Sequence, residues 1–224
     1  MGLVIFAERR SCVPIFHILS YSFPFSPIYL SPLLILKIFL MPDSKTFLRR
    51  SGNYENLLVY KKCCCIDAIT YYFANKYFSR LSRTIDQMVQ ASRSGKQNIV
   101  EGCEAALTSR ETGIKLLNVA RASLKELLED YRDYLVHNGL MLWKPGDEKY
   151  EQAVRACRAH NDPQYFLTAV AVRSDETIAN IAITLLCQAD RLLNGLLRKS
   201  ERVFLEKGGL REEMYRARKD VRGY

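Results

Sequence analysis

The chain offers few side chains that could carry out acid-base, nucleophilic or metal chemistry. Its three histidines are His17, His137 and His160. A di-iron site between helices requires Glu-x-x-His pairs, but the residues three positions before the last two histidines are Tyr134 and Cys157. A catalytic Ser or Cys would also need one of these rings as its base, and both rings are predicted to lie at helix ends or in loops. We therefore predict no enzyme, no catalytic residue and no bound metal.

The pair Gly95 and Lys96 is similar to the end of a phosphate-binding loop. Such a loop has a further Gly five residues before this Gly and a Ser or Thr after the Lys. Here those positions hold Gln90 and Gln97, and the pair lies within a helical pattern. The sequence therefore predicts neither nucleotide hydrolysis nor a cofactor.

The seven cysteines predict small apolar packing groups rather than a disulfide or metal framework. Cys63, Cys64 and Cys65 are consecutive, so on a helix they point in directions about 100° apart and cannot share one metal. No Cys-x-x-Cys pair occurs. This usage is typical of a reducing compartment, and we predict a cytoplasmic protein. A redox or metal role for a cysteine is the alternative.

Composition places the chain among globular proteins. Of its 224 residues, 48% are apolar and 25% are charged, with 11 Gly and 7 Pro. These values exclude the disordered, collagen-like and disulfide-scaffold classes. The formal charge of +9 permits attraction to phosphate groups without requiring it.

Residues 1–40 differ in character from the rest of the chain. Residues 11–36 lack Asp, Glu, Lys and Arg and are long enough to cross a membrane, but four prolines interrupt them and would remove helix hydrogen bonds. Charged, patterned sequence begins at Met41. We predict that 1–40 are a non-native or unstructured apolar extension, translated from upstream of a start at Met41, without membrane association. A genuine membrane anchor is the alternative.

From Met41 onward, four segments place apolar residues alternately three and four positions apart, which is the spacing of one helix face. They span about 55–80, 84–106, 108–138 and 174–206. Thr84 and Thr108 are each followed three positions later by Gln or Glu. This spacing predicts a capping box at the start of the second and third helices.

The remaining segments are predicted from helix breakers and charge. Residues 139–173 contain several breakers and are predicted to be an irregular insertion with one short helix around 148–159. Residues 207–224 form a basic C-terminal tail in which 210–222 is a short helix. Four long helices bury their apolar stripes most simply as an antiparallel up-and-down four-helix bundle. We therefore predict an all-α fold with a bundle domain at 41–206.

The second predicted helix carries a stripe of small residues at 4-3-4-3 spacing, namely Ala91, Gly95, Asn98, Gly102 and Ala105. Each glycine inside a helix costs about 1 kcal/mol relative to Ala, so another backbone should approach closely there. We predict that Gly95, Asn98 and Gly102 lie at a close helix contact or an oligomer contact.

This stripe lies within a motif, Arg-Ser-x3-Asn-Ile-x-Glu-Gly at 93–102, that resembles the four-helix bundle proteins also called 23S rRNA-intervening-sequence proteins. Stretches at 57–62, 120–127 and 193–196 resemble other helices of that family. The insertion and tail resemble its branch with a four-helix-bundle suffix domain. The resemblance implies a bacterial antiparallel bundle that forms ring-like homo-oligomers, has no established enzymatic activity and has a connection with RNA. It places Glu101 in a polar contact at the bundle end or between subunits.

Two function hypotheses follow. The first is a homo-oligomeric structural or macromolecular interaction module, and the alternative is direct binding of ribosomal RNA or another nucleic acid through basic surface and tail residues. No small-molecule substrate is predicted. The residues predicted to contact nucleic acid are Arg93, Lys96, Arg121, Lys125, Arg132, Arg211, Tyr215, Arg218 and Arg222. Acidic residues intersperse the cations of the third helix, which favours a solvated mixed-charge surface there.

Overall fold

A computed structural model of the chain describes residues 53–79 and 81–223. Within these ranges the chain forms a 3-10 turn at Tyr54–Asn56 and seven α-helices, with no strand. The protein is therefore all-α. The predicted extension at 1–40 and the predicted start at Met41 lie outside the described residues.

The helices follow the predicted order closely. We number them α1 to α7, and they span Leu58–Tyr77, Arg83–Ala105, Arg110–His137, Glu148–Ala159, Pro163–Ala171, Asp175–Lys207 and Leu210–Arg222. The four long helices α1, α2, α3 and α6 occupy the four segments with apolar periodicity, and α4 and α7 occupy the two predicted short helices. Helix α3 ends at His137, and Gly139 follows it with φ of +65°, a conformation that glycine adopts without strain.

The prediction of an irregular insertion at 139–173 is wrong, because this segment contains a second helix, α5. Pro163, one of the helix breakers in this segment, occupies the first turn of α5. Proline is favoured there because its missing N–H would have no helical partner and its φ suits a helix. Asp162 caps the helix by accepting a hydrogen bond from the Gln164 N–H at 3.1 Å.

The two predicted capping boxes are also wrong in position. The N-cap of α2 is Ser82, whose Oγ accepts from the Thr84 N–H at 3.3 Å, and the N-cap of α3 is Ser109, whose Oγ accepts from the Thr112 N–H at 3.2 Å. The predicted cap of α3, Thr108, lies one residue earlier. Ser and Thr are both good N-caps, so the local pattern cannot distinguish hydroxyl residues that lie this close together.

The core lies between α1, α2, α3 and α6. Helix α2 packs most extensively against α3, and α1 and α3 both contact α6. The ring of Phe73 lies 5.1 Å from that of Tyr131 and 4.7 Å from that of Tyr134. The hydroxyl of Tyr131, which is fully buried, donates to Thr70 Oγ1 at 3.1 Å, so the polar end of this aromatic cluster is satisfied.

Helices α2 and α3 approach each other through glycines. A Cβ atom added at Gly113 would lie 2.8 Å from the Gly102 carbonyl oxygen and 2.7 Å from the Ala106 Cβ. A Cβ atom added at Gly95 would lie 2.6 Å from a methyl carbon of Leu124. The backbones at Gly102 and Gly113 are therefore too close for a Cβ at Gly113 without displacement, whereas a Cβ at Gly95 would have to displace the Leu124 side chain.

The insertion packs onto the long helices through two buried polar side chains. Lys62 of α1 is only 2% exposed, and its ammonium group donates to the carbonyl oxygens of Cys157 and, at 2.9 Å, of His160. These carbonyls lie at the C-terminal end of α4, where a positive charge is favoured. Asn180 of α6 accepts from the Trp143 N–H at 2.8 Å and donates to the Met141 carbonyl at 2.9 Å.

Among the helices at 53–79 and 81–223, none has an apolar stretch long enough to cross a membrane.

The glycine contact predicts opposite effects for two Gly→Ala substitutions. Gly113→Ala should lower the free energy of unfolding by about 1–2 kcal/mol, because forced overpacking outweighs the gain in helix propensity. Gly195 lies within α6, and a Cβ there meets nothing within 4 Å. Gly195→Ala should therefore raise the same quantity by about 0.5–1 kcal/mol. Denaturant unfolding measures both, and equal stabilisation by the two substitutions would contradict the close contact.

Alkaline pH should destabilise the fold through buried groups that keep their protons. Burial raises the pKa of Cys65 and Cys157 to about 12 and raises that of Tyr131 well above its usual value of 10.0. The unfolded chain therefore loses protons first, and the free energy of unfolding falls as pH rises above about 9. Burial lowers the pKa of Lys62, so this one group acts in the opposite sense: below its usual pKa of 10.5 its contribution to the free energy of unfolding rises with pH.

Tyr131→Phe tests this linkage at one group. At neutral pH the substitution should cost about 0.5–1.5 kcal/mol for the lost hydrogen bond to Thr70. Above about pH 10 the variant should lose about one proton fewer on unfolding. The free energy of unfolding should therefore fall less steeply, by about 1.4 kcal/mol per pH unit. Urea unfolding from about pH 8 to about pH 11 measures the slope, and parallel curves for the two proteins would count against a proton held by Tyr131.

Candidate interaction and nucleic-acid surfaces

The small stripe of α2 is occupied by a contact within the chain. Gly95 and Gly102 face α3 at the close approach described above. The Asn98 amide donates within its own helix, to the Ser94 carbonyl at 2.9 Å and to the Ser94 hydroxyl at 3.2 Å, and that hydroxyl is hydrogen-bonded to Ser123 of α3 at 3.0 Å. Glu101 is exposed to solvent.

Three of the five cations predicted on α2 and α3 are paired with carboxylates. Lys96 forms an ion pair with Asp67 of α1. Arg121 pairs with Asp190 of α6 at 2.9 Å, and Arg132 pairs with Glu129, one turn earlier, at 2.8 Å. The other two, Arg93 and Lys125, are exposed. Because these pairs are partly exposed, they contribute little to stability, but they offset the positive charge that a phosphate would meet.

The predicted nucleic-acid residues do not converge on one surface. Lys96 faces α1 through Asp67, whereas Arg121 faces α6 through Asp190. The tail arginines lie on α7, which is held near the N-terminus of α3 by Arg110. The residues predicted to contact nucleic acid are therefore divided among the α1–α2 pair, the α3–α6 pair and the tail helix α7.

Helix α7 is held in place by one buried cation. Arg110, 9% exposed at the start of α3, donates to the Gly208 carbonyl and forms an ion pair with Glu213. Gly208 itself has φ of +69°, which turns the chain sharply between α6 and α7. The tail is consequently a docked helix.

One face of α7 presents the predicted residues to solvent. Arg211, Tyr215, Arg218 and Arg222 are all exposed, with Tyr215 at 69%. Two other charged side chains of α7 bind backbone groups. The Glu212 carboxylate accepts from the Gly209 N–H at 2.8 Å, and Arg216 donates to the Lys207 carbonyl. Both side chains thereby stabilise the turn that begins α7.

A groove between α1 and α2 was missed at the level of sequence. It has a volume of about 770 Å³ and is closed on one side by Leu167 of α5. The apolar spacing of α1 indicates only its buried face, but the polar and aromatic residues that line the groove also recur at helical spacing. They are Asp67, Tyr71, Tyr72, Asn75 and Lys76 of α1 and Arg93, Lys96 and Gln97 of α2. The groove is thus built from the edges of α1 and α2 that lie away from their buried faces.

The charged groups of this groove are held in defined positions. The two Asp67 carboxylate oxygens accept from Lys96 and, at 2.9 Å, from Ser92 Oγ. The ammonium of Lys76 donates to the Tyr72 hydroxyl at 2.8 Å and lies 5.0 Å from the centre of the same ring. This hydrogen bond raises the pKa of Lys76, so the group stays charged at neutral pH. The groove therefore combines cations with accessible tyrosine rings.

In the part of the chain that the structure describes, no three His, Cys, Asp or Glu side chains lie close enough together to hold a metal ion.

Comparison with known proteins gives no assignment. The chain matches no protein-family model, no curated protein and no solved structure. The resemblance of residues 93–102 to 23S rRNA-intervening-sequence proteins therefore stays a prediction.

Proposed function

We propose that this chain is a bacterial, cytoplasmic and non-enzymatic four-helix bundle protein, of the 23S rRNA-intervening-sequence kind with a suffix domain. It would act as a homo-oligomeric structural or macromolecular interaction module. The proposal is supported by the motif at 93–102, by the packing of the four long helices and by an apolar surface at one end of them.

The proposed bundle has α1, α2, α3 and α6 in antiparallel, up-and-down order. Contacts between α3 and α6 support this, because Arg121 meets Asp190 whereas Tyr134, later in α3, meets Asp175 at the start of α6. Residue numbers thus rise along one helix as they fall along the other. The glycine contacts between α2 and α3 run in the same opposed sense.

Three helix termini meet at one end of this arrangement. The ring of Phe78, just past α1, lies 5.3 Å from the ring of Tyr134 near the end of α3. The Tyr134 hydroxyl donates to the carboxylate of Asp175, the first residue of α6, at 3.0 Å. The loop after α1, the loop after α3 and the loop before α6 therefore belong to one surface at this end.

This end exposes large apolar side chains, and that observation carries the proposal. Leu81 is 94% exposed, Val136 75% and Val172 89%. Isolated exposed apolar residues are common, but several at one end of a domain are typical of an interaction surface. A second copy of the chain would cover them, in agreement with the self-association that the family resemblance implies.

The oligomer is tested by charge placed at this end. The unsubstituted chain should have a mass above that of the monomer in sedimentation or light-scattering experiments. Leu81→Lys combined with Val136→Lys should shift the mass to the monomer, because two buried ammonium groups in the interface would be unpaired.

The matched control is Leu205→Lys. Leu205 is 82% exposed near the other end of α6, so this substitution should leave the mass unchanged. A monomeric unsubstituted chain would refute self-association, and a mass insensitive to the double substitution would place the interface elsewhere.

RNA binding is a second candidate, favoured by the docked tail. Helix α7 holds three exposed arginines and Tyr215 along one face, while Glu213 is turned toward Arg110. Guanidinium groups bind phosphates well, and an exposed ring can stack on an unpaired base. The tail would therefore contact structured ribosomal RNA.

Replacing Arg211, Arg218 and Arg222 with Ala should reduce the slope of log affinity against log salt by about 2–3, since each phosphate contact contributes about one. Filter binding to structured ribosomal RNA between about 50 and 200 mM salt measures this slope. The control replaces three other exposed cations, Lys144, Arg155 and Arg158, and removes the same net charge. Equal slopes for the two triple variants would eliminate the tail as the binding site.

A further inference from the structure

We propose that the groove between α1 and α2 binds a nucleotide unit, with the base stacked on Tyr71 and the phosphate held by Arg93 and Lys76. The occupant is either a free mononucleotide or one unit of a single-stranded RNA. This site is separate from the α7 tail and from the apolar end surface, and it requires neither of them.

The shape of the groove fits a ligand of this size. Its volume of about 770 Å³ lies within the range of small-molecule sites in proteins. Ala68, Val89 and Leu167 contribute apolar surface from three different helices. A flat, partly apolar ring would displace water from this surface.

Aromatic surface is available for stacking. Tyr71 is 64% exposed at the groove, although its helix neighbours Phe73 and Ala74 are fully buried. Bases stack on exposed tyrosine rings in sites that bind single-stranded nucleic acids. An acidic peptide or a simple inorganic anion would leave this ring unused.

The charge of the groove is complementary to a phosphate. Its one acidic lining residue, Asp67, is already paired with Lys96 and accepts a hydrogen bond from Ser92. Lys76 and Arg93 therefore supply positive charge that no carboxylate of the described residues pairs with. Arg93 is exposed, and its planar guanidinium can bind two phosphate oxygens at once.

Two amide side chains suit the polar edge of a base. Asn75 donates to the Tyr71 carbonyl at 2.8 Å, so its side-chain oxygen remains a hydrogen-bond acceptor. Gln97 lines the groove from α2 and carries both a donor and an acceptor. This combination of ring, cations and amides favours a nucleotide over a lipid headgroup, which has no base edge to bind.

Calorimetric titration of the full chain tests the site with two probes, a mixture of the four ribonucleoside 5′-monophosphates and a short single-stranded oligoribonucleotide. Tyr71→Ala should weaken binding about tenfold or more through lost stacking. Arg93→Gln should weaken it and reduce the salt slope by about one. Tyr71→Phe should retain binding, because the stacking ring remains.

The matched controls are Tyr165→Ala, at a ring that is 39% exposed, and Arg155→Gln, at an exposed arginine, both outside the groove. They should leave groove binding unchanged. Binding of the monophosphates that depends on Tyr71 and Arg93 supports the site with a free nucleotide as its source. Binding of the oligoribonucleotide alone with the same dependence supports it with RNA as its source.

Four results would overturn the proposal. The first is no binding of either probe. The second is binding that the triple Ala variant of α7 abolishes and the groove substitutions do not. The third is Arg93-dependent binding to anionic vesicles without nucleotide binding, and the fourth is a change in oligomer mass on Tyr71→Ala without nucleotide binding. The last two would assign the groove to a lipid surface or to a second copy of the chain.

Discussion

The close approach of α2 and α3 is the constraint on which the other features depend. Gly102 and Gly113 bring the two backbones so near that no Cβ fits at Gly113 without displacement. This contact packs one edge of α2 against α3, and the opposite edge carries Ser92 and Lys96 to Asp67 of α1. The same α2 edge presents Arg93 and Gln97 to the groove. A contact inside the core thus determines the geometry of a surface site.

Two buried cations attach α4 and α7 by the same interaction, in which a positive charge binds carbonyl oxygens at a helix C-terminus. Lys62 binds carbonyl oxygens at the C-terminal end of α4, and Arg110 binds the Gly208 carbonyl just past the end of α6. Helix C-termini carry unpaired carbonyls and a partial negative charge, so a buried ammonium or guanidinium group is satisfied there without a full counter-ion. Arg110 adds Glu213 as a carboxylate partner. Polar contacts at helix ends therefore help to hold the insertion and the tail, and in the insertion they add to the buried apolar side chains of Phe166 and Val170.

The pairing of charges decides which cations are available to a partner molecule. Arg121 and Lys96 are each held by a carboxylate from a neighbouring helix. Arg93 and the arginines of α7 remain exposed. Among residues 53–79 and 81–223, the predicted cations consequently do not form one basic face. They lie in separate small basic sites, and the groove site also contains aromatic rings and amide side chains.

Local patterns in the sequence determined the helices and their buried faces. The alternating spacing of apolar residues located α1, α2, α3 and α6, and the glycine stripe indicated a close contact, because both signals depend only on neighbours along one helix. The same reasoning missed α5, since Pro163 can either end a helix or begin one. Only the tertiary structure decided that Gly102 meets Gly113, that Lys96 meets Asp67, and that Tyr71 and Arg93 line one groove. Each of these depends on the relative position of two helices, which is determined by long-range packing and leaves no periodic signal in either helix alone.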